Sequence, residues 1–119
     1  MRQKIYTAAL AIFLVVFAFG CKSSNEVTQP DTNTNQVSIR DNSFSPSTIT
    51  VPAGTTVTWT HNAGTVHTVT SGNRPNASGL YNSGDMNNGN TFQFTFSTPG
   101  TYPYFCIYHT GMNGTVVVE

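Results

Sequence analysis

Four side chains in this sequence have the chemistry of ligands for a soft metal ion. Three of them, Cys106, His109 and Met112, occupy one short segment with the spacing Cys-x2-His-x2-Met, and His67 lies in the middle of the chain. Thiolate, imidazole and thioether donors together favour copper, held in a plane by two histidines and one cysteine with methionine as a weak axial ligand. These residue types predict a copper site, with His67 as the candidate for the second histidine.

Other interpretations of the same residues are weaker. A structural zinc site needs four strong ligands, and besides Cys106 and His109 only His61 and His67 remain, with no second cysteine nearby. Haem attachment requires Cys-x-x-Cys-His, which the chain lacks. A cysteine nucleophile with a histidine base would need an orienting acid, and none is obvious beside Cys106. Taken alone, His67 is more typical of a core histidine and Met112 of a packing residue, and their spacing relative to Cys106 reverses that preference.

The elements that must position these ligands have the pattern of short β-strands. Phe92, Phe94 and Phe96, for example, share one face by the two-residue period of a strand. Turn residues separate such runs, and no window shows apolar residues at sustained helical spacing. We therefore predict an all-β, Greek-key β-sandwich of about seven to eight strands. The predicted strands include 37–40, 48–51, 55–60, 66–70, 91–97, 101–106 and 114–118, and residues 71–90, rich in Gly, Asn, Ser and Pro, are predicted to be a long loop.

The N-terminus has the three parts of an export signal. Arg2 and Lys4 precede an apolar run over residues 5–19, which is followed by a glycine and Cys21. The run is shorter than the roughly 20 residues that span a bilayer, so residues 1–21 are predicted to be a removed signal rather than a permanent membrane helix. A small residue followed by cysteine resembles the lipobox of bacterial lipoproteins, which implies a lipid anchor on Cys21. An ordinary secretory signal and an uncleaved anchor are the alternatives.

Composition limits the domain organisation and the partners. Residues 22–36 contain almost no apolar side chains, which predicts a flexible linker, and residues 37–119 are predicted to form one folded domain. The formal net charge is zero and only 8% of residues are charged, so no basic surface indicates nucleic acid as a partner. With Cys21 lipidated, Cys106 has no cysteine to pair with in a compartment where cysteines usually pair. Metal ligation is one explanation for that unpaired thiol.

In the order and spacing of several motifs the chain resembles the cupredoxins, a family of type 1 blue copper proteins with plastocyanin-like and amicyanin-like members. The resemblance covers the whole predicted domain and implies that four residues, His67, Cys106, His109 and Met112, hold one copper ion. The motifs are Phe44-Ser45-Pro46, Val51 to Trp59 (VPAGTTVTW), His67-Thr68-Val69, Ser83-Gly84, Phe92 to Phe96, Pro99 to Tyr102, and Tyr104 to Gly114 (YFCIYHTGMNG).

Strand and turn placement agrees with this implied ligand set. Cys106 ends a predicted strand, and His109 and Met112 lie on the turn that follows, so the three donors can converge on one point. His67 comes from a segment distant in sequence, and the sandwich must bring it close. The site is therefore predicted to form only in the folded protein.

Four residues need separate comment. His61 stands where amicyanin-like proteins carry an asparagine that ties the ligand loops together. We expect His61 at the surface or packed around the ligands, with a fifth ligand or a second metal site as the alternative. Ile107 stands where a polar residue is expected, and Tyr108 where proline is common in the family. Met86 is expected to be a packing residue. Because groups around the ligands tune a copper site, the family's potential does not transfer to this chain.

The resemblance implies an electron carrier rather than an enzyme, because such a site leaves no open coordination position for a substrate. We expect single electrons to pass between redox partner proteins by Cu(I)/Cu(II) cycling, through the surface around His109. The expected setting is the periplasmic or surface side of the bacterial cell envelope, with the protein a monomer. The alternative function is a copper-binding module for storage, delivery or sensing.

Overall fold

The computed structural model describes residues 34–119, which form nine β-strands. The signal, Cys21 and most of the linker lie outside the described residues. Within residues 34–119 no helix is long and apolar enough to cross a membrane. In chain order the strands are β1 (Gln36–Ile39), β2 (Phe44–Ser45), β3 (Thr48–Val51), β4 (Thr55–His61), β5 (Thr70–Asn73), β6 (Asn76–Asn82), β7 (Thr91–Phe96), β8 (Gly100–Phe105) and β9 (Asn113–Val118).

The strands form two sheets that pack face to face. One sheet has the order β2-β1-β4-β7 and the other has the order β3-β9-β8-β5-β6. Strand β1 runs parallel to β4 and β3 runs parallel to β9, whereas the other pairs are antiparallel. The all-β sandwich predicted from the sequence is confirmed, with nine strands in place of seven to eight.

The core lies between the sheets and is dominated by aromatic rings. In β4 the side chains of Val57, Trp59 and His61 point inward and are buried. Half-buried threonines alternate with them along the strand. The Trp59 ring lies 5.4 Å from that of Tyr104 on the opposite sheet, in an edge-on arrangement that aromatic pairs prefer. Phe96 is buried and the other two phenylalanines of β7 pack against the core while staying partly exposed, as their shared face predicted.

The region after β4 differs from the prediction. Residues 66–70 do not form a strand: His67 makes only an isolated bridge with Met86, and β5 begins at Thr70. Residues 71–90 are not one long loop, because they contain most of the β5–β6 hairpin. Small residues permit that pairing: Gly72 has a φ of +121°, and a Cβ placed there would lie 2.6 Å from the backbone nitrogen of Ser78.

Candidate metal centre

The segment from His67 to Met86 holds His67 beside the end of β8. The backbone N–H of His67 donates to the Met86 carbonyl at 3.2 Å, and the Met86 N–H donates back to the His67 carbonyl at 2.8 Å. Within the described part of the chain this pair is an isolated bridge, so His67 lies between β4 and β5 without being part of a strand. Met86 is buried in the core cluster, in agreement with its predicted packing role.

The other three candidate ligands lie on the connection between β8 and β9, which we call the ligand loop (residues 106–112). Cys106 follows the last residue of β8, and Met112 precedes the first residue of β9. The Cys106 N–H donates to the Met112 carbonyl at 3.1 Å, and the Met112 N–H donates to the His109 carbonyl at 3.2 Å. Gly111, with a φ of +87°, supplies the left-handed backbone conformation that the turn requires. The loop is therefore closed by its own backbone.

Three donor atoms converge at this place. Cys106 Sγ lies 3.6 Å from His67 Nδ1 and 3.5 Å from His109 Nδ1, and the three atoms all lie within 4.8 Å of one another. Donors that share one ion at about 2.0–2.3 Å are separated by distances of this order. One thiol proton can serve only one nitrogen, whereas a metal ion can use the sulfur and both nitrogens. The donor set therefore fits a bound soft metal ion.

Burial differs among the candidate ligands. Cys106, His67 and Met112 are buried, and His109 is partly exposed. The Met112 side chain lies in the core cluster, directly after the turn that carries His109. The structure thus brings His67, Cys106 and His109 together as predicted, and it places Met112 at the end of the same loop. The role of Met112 as the axial ligand stays a prediction.

The surroundings of His67 keep its imidazole in a form that can bind metal. The pKa of His67 is lowered, mainly by burial and also by the neighbouring His109 and His61 rings. Asp41 acts in the opposite sense but does not outweigh them. The ring is therefore neutral at neutral pH. Its Nε2 lies 3.3 Å from the Thr65 hydroxyl, a contact that leaves Nδ1 on the side of Cys106.

His61 is buried, which excludes the surface position that was one expectation for it. Its Nε2–H donates to the Thr65 carbonyl at 2.8 Å, and its Nδ1 accepts from the Ala63 N–H at 3.3 Å. Both ring nitrogens are thus used by the backbone of residues 63–65, and the ring packs 5.1 Å from the ring of His67. His61 shapes the segment that leads to His67 and is not placed as a ligand. The two-residue period of β4 was the signal for its burial.

Polar contacts that sequence reasoning missed tie the ligand loop to the His67 segment. The Ile107 N–H donates to the Thr68 hydroxyl at 3.1 Å, and the Tyr108 hydroxyl donates to Asp85 Oδ1 at 2.6 Å. The hydrogen bond to Asp85 raises the pKa of Tyr108. Arg74 makes a third contact, to backbone carbonyls of the loop. Thr68 is adjacent to His67 in sequence, whereas nothing local signals the roles of Asp85 and Arg74.

Comparison with known proteins agrees with the fold. Residues 10–118 match the sequence model of a cupredoxin-like domain. The chain is 30% identical over 119 residues to amicyanin-alpha of Methylorubrum extorquens, which covers all of both chains. It is 41% identical over 86 residues to plastocyanin of Scenedesmus fuscus, covering 64% of this chain and 86% of the relative. Among solved structures, a purple cupredoxin from Nitrosopumilus maritimus superimposes with a TM-score of 0.66 at 31% identity, over 71% of this chain and 98% of the other.

Proposed function

The chain belongs to the cupredoxin family, and we propose that it is a type 1 copper protein that carries single electrons between redox partners. The observation that carries this proposal is the convergence of Cys106 Sγ with Nδ1 of both His67 and His109, at 3.6 and 3.5 Å. A bound copper ion supplies one-electron exchange between Cu(I) and Cu(II). The relatives named amicyanin and plastocyanin support the same assignment.

Each ligand residue has a distinct task. Cys106 provides the thiolate, His67 the buried imidazole nitrogen, and His109 the imidazole nitrogen nearest the solvent. Met112 provides a thioether as the weak axial donor, a proposal that rests on its position at the end of the ligand loop and its burial in the core cluster. One cysteine, two histidines and one methionine form the donor set typical of type 1 copper.

The chain holds these donors still, which is what fast one-electron exchange requires. The ligand loop is closed by its own backbone hydrogen bonds, and the Thr68 hydroxyl and Asp85 carboxylate bind it from the His67 side. Thr65 fixes the orientation of the His67 ring. Donors fixed in this way cannot rearrange much between oxidation states, so little free energy is spent on reorganisation.

The surface next to His109 offers a docking area for partner proteins. His109 is partly exposed, and Ile107 and Tyr108, beside it in the loop, expose 45% and 48% of their surface. Exposed apolar side chains beside a redox centre suit a small, transient interface, because a carrier must leave its partner quickly. We propose that redox partners bind here.

We further propose that the protein is exported and anchored to a membrane of the bacterial cell envelope through a lipid on Cys21, with residues 22–36 as a linker to the domain. The sequence pattern of residues 1–21 supports this proposal. Mass spectrometry of the membrane fraction tests it: the parent chain should carry the lipid, and a Cys21→Ser variant should not.

Metal loading tests the electron-carrier proposal. Copper added to the purified protein should give an intense visible absorption band and a reversible one-electron potential. Cys106→Ser should lose the band while it keeps the far-ultraviolet circular dichroism of the parent. A colourless copper-loaded parent, or a band that survives in Cys106→Ser, would overturn the assignment of the thiolate.

A second experiment separates electron transfer from copper delivery. A carrier retains Cu(I) in the presence of a competing Cu(I) chelator and exchanges electrons repeatedly with a redox mediator. A delivery protein hands Cu(I) to the chelator within the mixing time. Rapid transfer to the chelator would favour the storage, delivery or sensing alternative.

A further inference from the structure

Arg74 reaches from the β5–β6 turn to the ligand loop and binds it at the backbone. Its Nη2 donates to the Cys106 carbonyl at 2.6 Å and to the Ile107 carbonyl at 2.9 Å. Its guanidinium carbon lies 5.5 Å from the centre of the Phe105 ring, within the range of a cation–π contact. Three consecutive residues, the candidate ligand Cys106 and both of its neighbours, therefore hold the guanidinium in place.

Within residues 34–119 the contacts of Arg74 include no carboxylate that would balance its positive charge. The carbonyls that it binds are neutral, and two carboxylates of the described chain have other partners: Asp85 accepts from Tyr108 and Asp41 accepts from the Gly64 N–H. Arginine does not lose its proton in proteins. The side chain is partly buried, so solvent screens its charge less than it screens that of a fully exposed residue. A permanent cation is thus fixed beside the backbone of the cysteine ligand.

A fixed positive charge next to a redox centre acts unequally on the two oxidation states. The oxidised centre carries one more positive charge than the reduced centre, so the nearby cation repels the oxidised state more strongly. Charge and hydrogen bonding around the cysteine are established means of adjusting the potential of a copper–thiolate site. From this geometry we propose that Arg74 raises the reduction potential of the centre, an inference that rests on the proposed copper-binding function.

Three substitutions at Arg74 separate its charge from its hydrogen bonds. Arg74→Lys keeps the charge but loses the planar fork of donors, Arg74→Gln keeps a donor but loses the charge, and Arg74→Met loses both. In the two neutral variants we expect the ratio of Cu(II) affinity to Cu(I) affinity to be about threefold to tenfold higher than in the parent. A charge–charge interaction of roughly 1 kcal/mol gives a change of this size. For a one-electron couple a tenfold change in this ratio lowers the potential by about 59 mV. Arg74→Lys should stay close to the parent.

The measurement is the midpoint potential of the copper-loaded full chain, together with separate Cu(I) and Cu(II) affinities from chelator competition. Arg40 is the comparison for charge, because it is exposed and solvent therefore screens its charge more than that of the partly buried Arg74; Arg40→Gln should lower the potential less than Arg74→Gln does. Unchanged potentials in both neutral variants would overturn the proposal, as would a fall in Arg74→Lys as large as that in Arg74→Gln.

Hydrogen exchange in the metal-free protein reports on the loop without copper. Amides of residues 106–112 should exchange faster in Arg74→Met than in the parent, because the carbonyls of Cys106 and Ile107 lose their donor. If Arg74→Met does not fold, Arg74→Gln and Arg74→Lys still decide the question of charge. Failure of the electron-carrier proposal would show as a missing visible band in the parent, whereas failure of this inference leaves the band intact and the potentials equal.

Discussion

The Tyr108 hydroxyl donates a 2.6 Å hydrogen bond to Oδ1 of Asp85. This contact joins two segments that each carry a ligand, since Tyr108 precedes His109 and Asp85 precedes Met86, whose backbone pairs with His67. Because the acceptor is charged, the bond is stronger than one between neutral groups. The contact lies at the surface and connects the segment that carries His109 to the segment that carries His67.

Breaking this link should loosen the ligand loop without unfolding the domain. Tyr108→Phe and Asp85→Asn should each speed copper release to a chelator severalfold and increase hydrogen exchange of amides 106–112, because the loop loses one of its side-chain anchors. The double variant should release copper no faster than the single variants if the two residues act only through each other. Additive effects would show that they act separately.

The two buried methionines near the site should behave differently. Met112→Leu conserves volume and should fold, at a cost below about 1.5 kcal/mol, but it removes the proposed axial donor and should raise the reduction potential, because Cu(II) loses a ligand. Met86→Leu is the matched control, since Met86 is also buried in the core cluster. Voltammetry and visible spectra of both copper-loaded variants check the assignment. A change confined to Met86→Leu would contradict it.

His61 should matter for stability rather than for copper ligation. In His61→Ala the Thr65 carbonyl and the Ala63 N–H lose their side-chain partner and a cavity replaces the ring, so we expect a loss of roughly 2–4 kcal/mol in unfolding free energy. The visible band of the copper-loaded variant should remain. If the band disappears while circular dichroism shows a folded chain, His61 is a ligand and the set proposed above is wrong.

Gly114 faces the Tyr104 ring across the β8–β9 pair. A Cβ at this position would lie within 2.6 Å of Tyr104 Cε2, so Gly114→Ala should displace a fully buried ring and cost about 1–3 kcal/mol. Gly64→Ala is the matched control, because a Cβ there has no atom within 4 Å. Denaturant unfolding of both variants at one pH gives the comparison. Equal stabilities would contradict the packing argument.

Tyr81 should weaken the protein in alkaline solution. Burial, with the nearby Tyr104 phenol, raises the pKa of Tyr81, and its buried hydroxyl has no hydrogen-bond partner within residues 34–119. Above pH 10, near the pKa of an unfolded tyrosine, the unfolded chain releases a proton that the folded chain retains. The free energy of unfolding therefore falls as pH rises.

Tyr81→Phe tests this alkaline loss. The variant should match or slightly exceed the parent in stability at neutral pH, because it removes an unsatisfied polar group, and its stability should fall less steeply above pH 10. Tyr102→Phe is the contrast, since that hydroxyl donates to the Thr98 carbonyl at 2.6 Å and its loss should cost about 0.5–1.5 kcal/mol at neutral pH. Parallel pH curves for Tyr81→Phe and the parent would contradict the expectation.

The sandwich and the candidate ligands could be predicted because their signals are local. The alternation in β4 and β7 reports inward faces, and Cys106, His109 and Met112 lie within one loop. The β5–β6 hairpin could not be predicted in this way, because most of its residues are small or polar and show no regular alternation of apolar side chains. Its strand β5 also pairs with β8, which is distant in sequence. The contacts of Arg74 were equally hidden, since they join residues 32 and 33 positions apart.

Both ends of the ligand loop are fixed by the paired strands that flank it. Phe105 and Asn113 are cross-strand partners, and the backbone bond from Cys106 to the Met112 carbonyl continues that pairing into the loop. The gap that residues 107–111 must span is therefore set by the sheet and does not depend on which residues fill it. The loop between these two anchor points could therefore change in length without disturbing the strands, provided that it still presents the imidazole of His109 to the sulfur of Cys106.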